Sequence, residues 1–230
     1  MGCHMVAMTG NTGGIGRALT RWLGENGIVT IGFTRTPGGA DYELNVTWSS
    51  SDVARVIHNA YQDHGAFDAW INLAGADILQ QPIRSQSYEE RLKLLWETDV
   101  EGTVRCSRAV LPYLAPDGCV INLGWDEALE GHRGVAGELY ATTKAAVIAY
   151  SLSLAKTLGN TPRVYIVCPG WVTTRWAESL SSDRHQQVAQ YIPGAKWQTP
   201  NTVANLIGSL VVGRRAIATG TIHTVNSPVH

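Results

Sequence analysis

The chain has 230 residues, 44% hydrophobic and 16% charged, with a formal net charge of -1 at pH 7. That is enough for one large domain with a sizeable core, and the balance argues against disorder, fibre and coiled coil. No basic block offers a phosphate backbone or an anionic bilayer an electrostatic hold, so neither nucleic acid nor membrane is expected as a partner.

Met5 to Thr9 is short and apolar and runs into glycines, after which Ala18, Leu19, Trp22 and Leu23 recur at helical spacing: strand, turn, helix. Val29 to Phe33 reads as a second strand, Tyr42 to Val46 as a third, Val53 to His64 as helix, Ala69 to Leu73 as strand and Tyr88 to Leu114 as helix. Cys119 to Leu123 is a strand, Leu139 to Leu158 a helix and Arg163 to Val167 a strand, before a helix near Thr202 to Val212 and a strand at Thr221 to Val225. This alternation implies a doubly wound, mostly parallel α/β sheet of the Rossmann type, three layers deep. Residues 1–230 contain no linker or repeat and are read as a single domain. One connection departs from the pattern. Between Arg35 and Tyr42 only about half a dozen residues remain, against the dozen or more that a parallel crossover takes, so the helix joining the second and third strands is expected to be missing.

The four cysteines, Cys3, Cys106, Cys119 and Cys168, form no CxxC pair, and the seven histidines join no Cys or carboxylate cluster. Reduced thiols, no metal site and a cytoplasmic location are the expectations, since no secretory segment or apolar run of about 18 residues is present.

Thr9-Gly10-Asn11-Thr12-Gly13-Gly14-Ile15-Gly16 lies between strand and helix, where a nucleotide-binding turn belongs. Glycines admit a pyrophosphate closely, and the helix N-terminus offers unpaired N–H groups at its positive end. Gly10, Asn11, Thr12, Gly14, Ile15 and Gly16 are the candidate contacts. At the end of the second strand a carboxylate would bond both ribose hydroxyls of NAD; Phe33-Thr34-Arg35 stands there instead. The Arg35 guanidinium, the Thr34 hydroxyl and nearby Arg17 suit a 2′-phosphate, so NADP(H) is expected and NAD disfavoured. Further on, Tyr140 and Lys144 fall one turn apart on one helix face. A phenol ordinarily titrates near pH ~10, and a neighbouring ammonium brings it toward the range in which it exchanges a proton with a carbonyl oxygen.

In order and spacing these features resemble the short-chain dehydrogenase/reductase family, in particular its ketoacyl-carrier-protein-reductase-like members. The glycine turn is similar to the family fingerprint, Asn72-Leu73-Ala74-Gly75 to its NNAG segment, Tyr140-Ala141-Thr142-Thr143-Lys144 to its YxxxK, and Pro169-Gly170-Trp171-Val172-Thr173-Thr174 to its PG-x-V-x-T segment. Thr219-Gly220-Thr221 with Val225-Asn226 resembles its closing strand, and Tyr191 to Pro200 its PLGRWGTP region. The resemblance implies hydride transfer between NADP(H) and a small carbonyl or alcohol, with Tyr140 as acid/base and Lys144 as pKa tuner and ribose anchor. It implies Asn45 and Val46 beside the adenine, Asn72, Ala74 and Gly75 beside the adenosine, and Pro169, Gly170, Val172 and Thr174 at the nicotinamide. It also implies a homo-dimer or homo-tetramer, with the stripe Ala145, Ile148, Leu152 and Ala155 either at the subunit contact or in the core.

Two positions depart from the family. Gly124 and Trp125 stand where serines would be, and no Ser or Thr occurs from Gly118 to Leu139, so the hydrogen bond to the substrate carbonyl must come from elsewhere. Asp126 is the candidate, provided that burial keeps its carboxyl protonated; the Trp125 indole N–H is a second donor, though Trp125 reads first as a wall of the pocket. Asp99 replaces an Asn of the family's proton relay; it either pairs with Lys144 or is an ordinary helix residue. Trp125, Trp171 and Trp176, with Arg175 among them, read as walls for a flat or ring-containing substrate, acidic or not, or as core filling. Two further readings compete with the hydride-transfer enzyme. One is a relative of dihydropteridine reductase, which also lacks the serine; the other is a weakly active nucleotide-binding sensor or scaffold.

Overall fold

The computed structural model describes residues 3–36, 38–173, 177, 182–190 and 197–225. Among them seven strands form one sheet in the order β3-β2-β1-β4-β5-β6-β7. These are β1 (Met5–Thr9), β2 (Val29–Thr34), β3 (Tyr42–Glu43), β4 (Phe67–Asn72), β5 (Leu114–Leu123), β6 (Arg163–Cys168) and β7 (Thr221–Thr224). Every neighbouring pair is parallel.

The two-residue period of a strand makes the layers. Val6, Met8, Ala69, Ile71, Cys119, Ile121, Tyr165 and Val167 point to one face, where α1 (Gly14–Glu25) and α7 (Pro200–Gly213) cover them. Ala7, Trp70 and Val120 point to the other, against α2 (Ser50–His64) and α4 (Gly102–Val110), while Val164 and Ile166 meet α5 (Val135–Leu158). Both faces are covered, which explains why the central strands read as unbroken apolar runs. The stripe on α5 belongs to this core: Ile148 packs with Ile166 and Cys168, and Ala155 with Val164. Local chemistry starts the helices. Ser49 accepts from the Asp52 amide ahead of α2, and Ser87 with Glu90 makes a reciprocal capping box ahead of α3 (Tyr88–Leu95), each cap contributing about 1 kcal/mol. The short α6 (Ser182–Ala189) precedes α7.

The helix expected over Tyr88 to Leu114 is divided. A π-helical turn, Trp96–Glu101, separates α3 from α4. Pro112, which lacks an amide proton, ends the run in a 3-10 turn, and Leu114 already belongs to β5. The helix over Leu139 to Leu158 begins earlier, at Val135, and β3 holds two residues rather than five.

Residues 35–41 contain no helix among those described, as the short connection requires. In its place the Asn11 side chain lies across Gly32, where a Cβ would come within 2.2 Å of Asn11 Nδ2, and that amide donates to the Gly39 carbonyl. Asp41 Oδ2 accepts from the Gly32 amide at 2.7 Å. A sheet amide without a strand partner is thereby satisfied by a side chain. No helix among the described residues is long and apolar enough to cross a membrane.

Candidate active site

The sheet runs outward in both directions from β1 and β4, and this reversal opens a crevice at the C-terminal ends of the strands, where parallel α/β folds bind ligands. The crevice is a cleft of about 1180 Å³. At one end it is lined by Gly10, Thr12, Gly14, Ile15, Thr34, Arg35, Asn45 and Val46, in the middle by Ala74 and Gly75, and at the other end by Tyr140, Lys144, Pro169, Gly170 and Val172. Gly13 lines it too, a contact the sequence reading left out. Asn11, Gly16 and Asn72 do not line it, and Thr174, Arg175, Trp176, residues 191–196 and Asn226 lie outside the described residues.

The three absences have structural reasons. Asn11 is committed to covering Gly32. Gly16 is buried under the turn, where a Cβ would sit 2.4 Å from the Gly10 carbonyl oxygen. Asn72 faces the interior: its Oδ1 accepts from the Trp70 indole at 2.9 Å, and its Nδ2 donates to Ser107 Oγ and to Asn122 Oδ1. Asn122 Nδ2 in turn donates to Ser151 Oγ, so this buried chain ties β4 and β5 to α4 and α5 just below the cleft.

At the glycine end, Gly10 has φ 70°, and a Cβ there would lie 2.8 Å from the Ala74 amide nitrogen, so the turn closes on the loop after β4 only with glycine. Gly13 caps α1 without a side-chain bond and no acid occupies the first turn, which leaves the positive end of the helix bare toward the cleft. Thr34 Oγ1 lies 3.4 Å from Thr12 Oγ1. Of the two arginines expected near the ribose, Arg35 lines the cleft, whereas the Arg17 guanidinium donates to the Thr12 carbonyl and takes no part in the lining.

At the other end, α5 presents Gly137, Tyr140 and Lys144 on one face, all lining the cleft. The π turn brings Asp99 inward, 2% exposed, and its Oδ2 meets Lys144 Nζ at 2.9 Å while Oδ1 accepts from the Ala76 amide at 2.8 Å. Lys144 also donates to the Leu123 carbonyl at 3.3 Å. Of the two readings of Asp99, the pairing with Lys144 is the one observed. The Tyr140 hydroxyl donates to the Ala76 carbonyl at 3.2 Å and accepts from the Ile78 amide at 3.4 Å. Burial first, then the Asp99 charge, pushes this phenol well above its ordinary range, with the Ile78 amide opposing. The expected lowering by Lys144 is not what dominates, because that ammonium is already paired.

The region without serine has a packing reason as well. A Cβ on Gly124 would lie 2.6 Å from Cys168 Sγ and 2.9 Å from Ile148 Cγ1, so the backbone there is too close to β6 and α5 for any side chain. Asp126 sits behind the cleft wall, not on it: its Oδ2 backs onto Gly170, where a Cβ would fall 2.6 Å away, and its Oδ1 is buried without a hydrogen bond. Burial first and then Glu127 hold its carboxyl above the usual carboxylate range.

Trp125 and Trp171 line the wall, as one of the two readings of these residues has it, together with His132 and, behind it, Glu127, both of which sequence reasoning passed over. Trp125, His132 and Trp171 border the cleft with ring centroids 5.2–6.4 Å apart. Glu127 joins them from behind, Oε2 meeting His132 Nδ1 and Oε1 accepting from the Trp171 indole at 2.9 Å. A Glu five residues before a His, in a stretch without hydroxyl side chains, was the available signal. Among the described residues no three His, Cys, Asp or Glu side chains are grouped to hold a metal.

Residues 10–230 match the family model described as "Enoyl-(Acyl carrier protein) reductase". The 3-oxoacyl-(acyl-carrier-protein) reductase of Vibrio cholerae is 28% identical over 239 residues, covering 97% of this chain and 96% of that protein. The enzyme of that name from Thermotoga maritima is 27% identical over 233 residues, covering 94% and 93%. Among solved structures, ligand-free aldohexose dehydrogenase of Thermoplasma acidophilum superposes with a TM-score of 0.82 at 23% identity, covering 99% of this chain and 96% of that one, a likeness of fold. With the family match spanning nearly the whole chain, and the parallel sheet, glycine turn and Tyr–Lys helix in family order, the chain belongs to the short-chain dehydrogenase/reductase family of oxidoreductases.

Proposed function

We propose that this protein is an NADP(H)-dependent reductase that transfers hydride between the nicotinamide and a carbonyl or alcohol, with 3-oxoacyl compounds and aryl ketones as the substrate classes to try first. The observation that carries this reading is one continuous cleft, running from a bare helix N-terminus beside Arg35 to Tyr140 and Lys144. The residues fit the dinucleotide: glycine at 10 lets the turn close on the loop after β4, the uncapped amides of α1 suit a pyrophosphate, and Thr34-Arg35 stands where a carboxylate would repel a 2′-phosphate.

Gly10, Thr12, Gly14 and Ile15 would hold the pyrophosphate, Thr34 and Arg35 the ribose phosphate, Asn45 and Val46 the adenine, and Ala74 and Gly75 the adenosine. Lys144 would hold the nicotinamide ribose, with Pro169, Gly170, Val172 and Thr174 near the nicotinamide. Bound there, the nicotinamide supplies the hydride. Tyr140 gives the proton to the carbonyl oxygen. Burial and Asp99 keep the phenol protonated, the form in which it can give a proton to the carbonyl oxygen. Lys144 holds its place through Asp99 and Leu123, and Trp125 and Trp171 shield the reacting atoms from water. A homo-oligomer contact through α3, α4 and α5 accords with exposed Tyr88 on α3 and exposed Trp96 on the π turn that follows it.

A nucleotide-binding protein without turnover is the second reading, favoured by a Tyr140 hydroxyl engaged with the backbone at Ala76 and Ile78. Fluorescence titration with NADPH and NADH, followed by NADPH oxidation with ethyl acetoacetate and acetophenone, separates the two. Tighter NADPH than NADH binding, weakened selectively by Arg35→Ala, and turnover abolished by Tyr140→Phe are expected. Binding without turnover selects the second reading, and turnover that survives Tyr140→Phe refutes the mechanism.

A further inference from the structure

We infer that His132, oriented by Glu127, donates to the substrate oxygen the hydrogen bond that this chain has no serine to supply. The inference rests on the reductase reading above. The packing around Gly124 closes that position to a side chain, Asp126 lies behind Gly170 rather than in the cleft, and His132 stands on the wall against the rings of Trp125 and Trp171.

Its placement relative to Tyr140 follows from the helix. A Cβ on Gly137 would lie 2.8 Å from His132 Cδ2, so the imidazole edge rests on α5 at Gly137. Gly137 precedes Tyr140 by three residues and Lys144 by seven, all on the face toward the cleft. At a rise of about 1.5 Å per residue, the ring stands roughly 5 Å along the axis from the turn that carries the phenol. That separation lets a proton donor and a hydrogen-bond donor reach one carbonyl oxygen from two sides.

Orientation comes from Glu127. Its carboxylate is nearly buried, side chain 13% exposed, and its two oxygens are divided between His132 Nδ1 and the Trp171 indole. Nδ1 is therefore committed, and no described residue bonds Nε2, the ring nitrogen next to the Cδ2 edge. As an imidazolium, with Nδ1–H donated to the Glu127 carboxylate, the ring donates its Nε2–H to the carbonyl oxygen while hydride adds to the carbonyl carbon and Tyr140 transfers its proton to that oxygen. His132 keeps both of its ring protons throughout. Such a donor, aimed where negative charge develops, is commonly worth a factor of 10²–10³ in rate.

The test measures NADPH oxidation with ethyl acetoacetate and acetophenone in wild type, Tyr140→Phe, His132→Leu, His132→Gln and Glu127→Gln. His132→Leu is expected to lower kcat by about 10²–10³ with NADPH affinity unchanged. His132→Gln, which keeps an N–H donor, recovers at least about tenfold of that loss, and Glu127→Gln costs about tenfold. A group that merely stitched the wall together would lower the melting temperature and leave kcat of the folded protein intact. In ¹H–¹⁵N spectra of the NADPH complex of Tyr140→Phe, ethyl acetoacetate is expected to move the His132 Nε2 resonance. If wild type turns over and Tyr140→Phe does not, yet His132→Leu stays within threefold of wild type, His132 has no such role. If wild type reduces neither compound, the reductase reading falls and this inference with it.

Discussion

Asp99 meets Lys144 at the cleft, and that pairing has a measurable size. Asp99→Asn keeps an oxygen for the Ala76 amide but removes the charge opposite Lys144 Nζ, now 2.9 Å away. Leaving one partner of a buried pair alone costs about 3–5 kcal/mol, and the 17% exposure of the Lys144 side chain, which gives its ammonium some water, reduces this to about 2–3 kcal/mol. For a chain of this length about 2–4 °C is lost per kcal/mol, so the melting temperature should fall by about 4–12 °C, followed by circular dichroism without nucleotide. Lys144→Met in the Asp99→Asn background should recover part of the loss, with a coupling energy of about 1 kcal/mol or more across the cycle. If Asp99→Asn melts within about 2 °C of wild type, or the two changes simply add, Lys144 is not held by Asp99 and the account of its fixed position fails.

Two other outcomes follow from burial. Asp126 has a folded pKa raised above its unfolded one, so ionising it opposes folding; its contribution is intact in acid below the ordinary carboxylate range and is lost as pH rises through the raised value. Asp126→Asn should therefore melt higher than wild type near pH 7 and converge with it in acid, and a lower melting temperature near neutrality would show that the carboxylate is paired. Burial pushes the Cys106 and Cys119 thiols up to about 12 and those of Cys3 and Cys168 to about 11. At pH 8 a thiol with a pKa of 11 is about one part in a thousand thiolate, so a thiol reagent such as DTNB should react slowly with native protein and rapidly in denaturant; a native burst of one thiol would contradict this.

Much of the architecture was legible because it is written locally. Val6 and Met8 against Ala7 set the two faces of β1, and the gap from Arg35 to Tyr42 is too short for a helix whatever surrounds it. Tyr140 and Lys144 share a helix face by spacing alone. The Rossmann-type parallel sheet and the family followed from such patterns in order. The π turn was not read from the sequence: Leu95 and Val100, both buried, stand five residues apart, wider than the three or four of an α-helical face, and only the packed helix shows the extra residue.

Sequence by itself determined which groups the protein owns and how far apart along the chain they stand: a glycine turn without an acid in the following helix turn, an arginine where NAD-type folds carry a carboxylate, a tyrosine one turn before a lysine, and no hydroxyl between Gly118 and Leu139. Tertiary structure alone decided which of these meet. Asp99 is 45 residues from Lys144, Glu127 is 44 from Trp171, and Gly124 touches Cys168 across a neighbouring strand. Local propensity fixes the conformation of a segment, but a contact between distant segments exists only once helices and sheet have packed, so the pairing of Lys144, the retreat of Asp126 behind Gly170 and the arrival of His132 at the cleft were settled by packing.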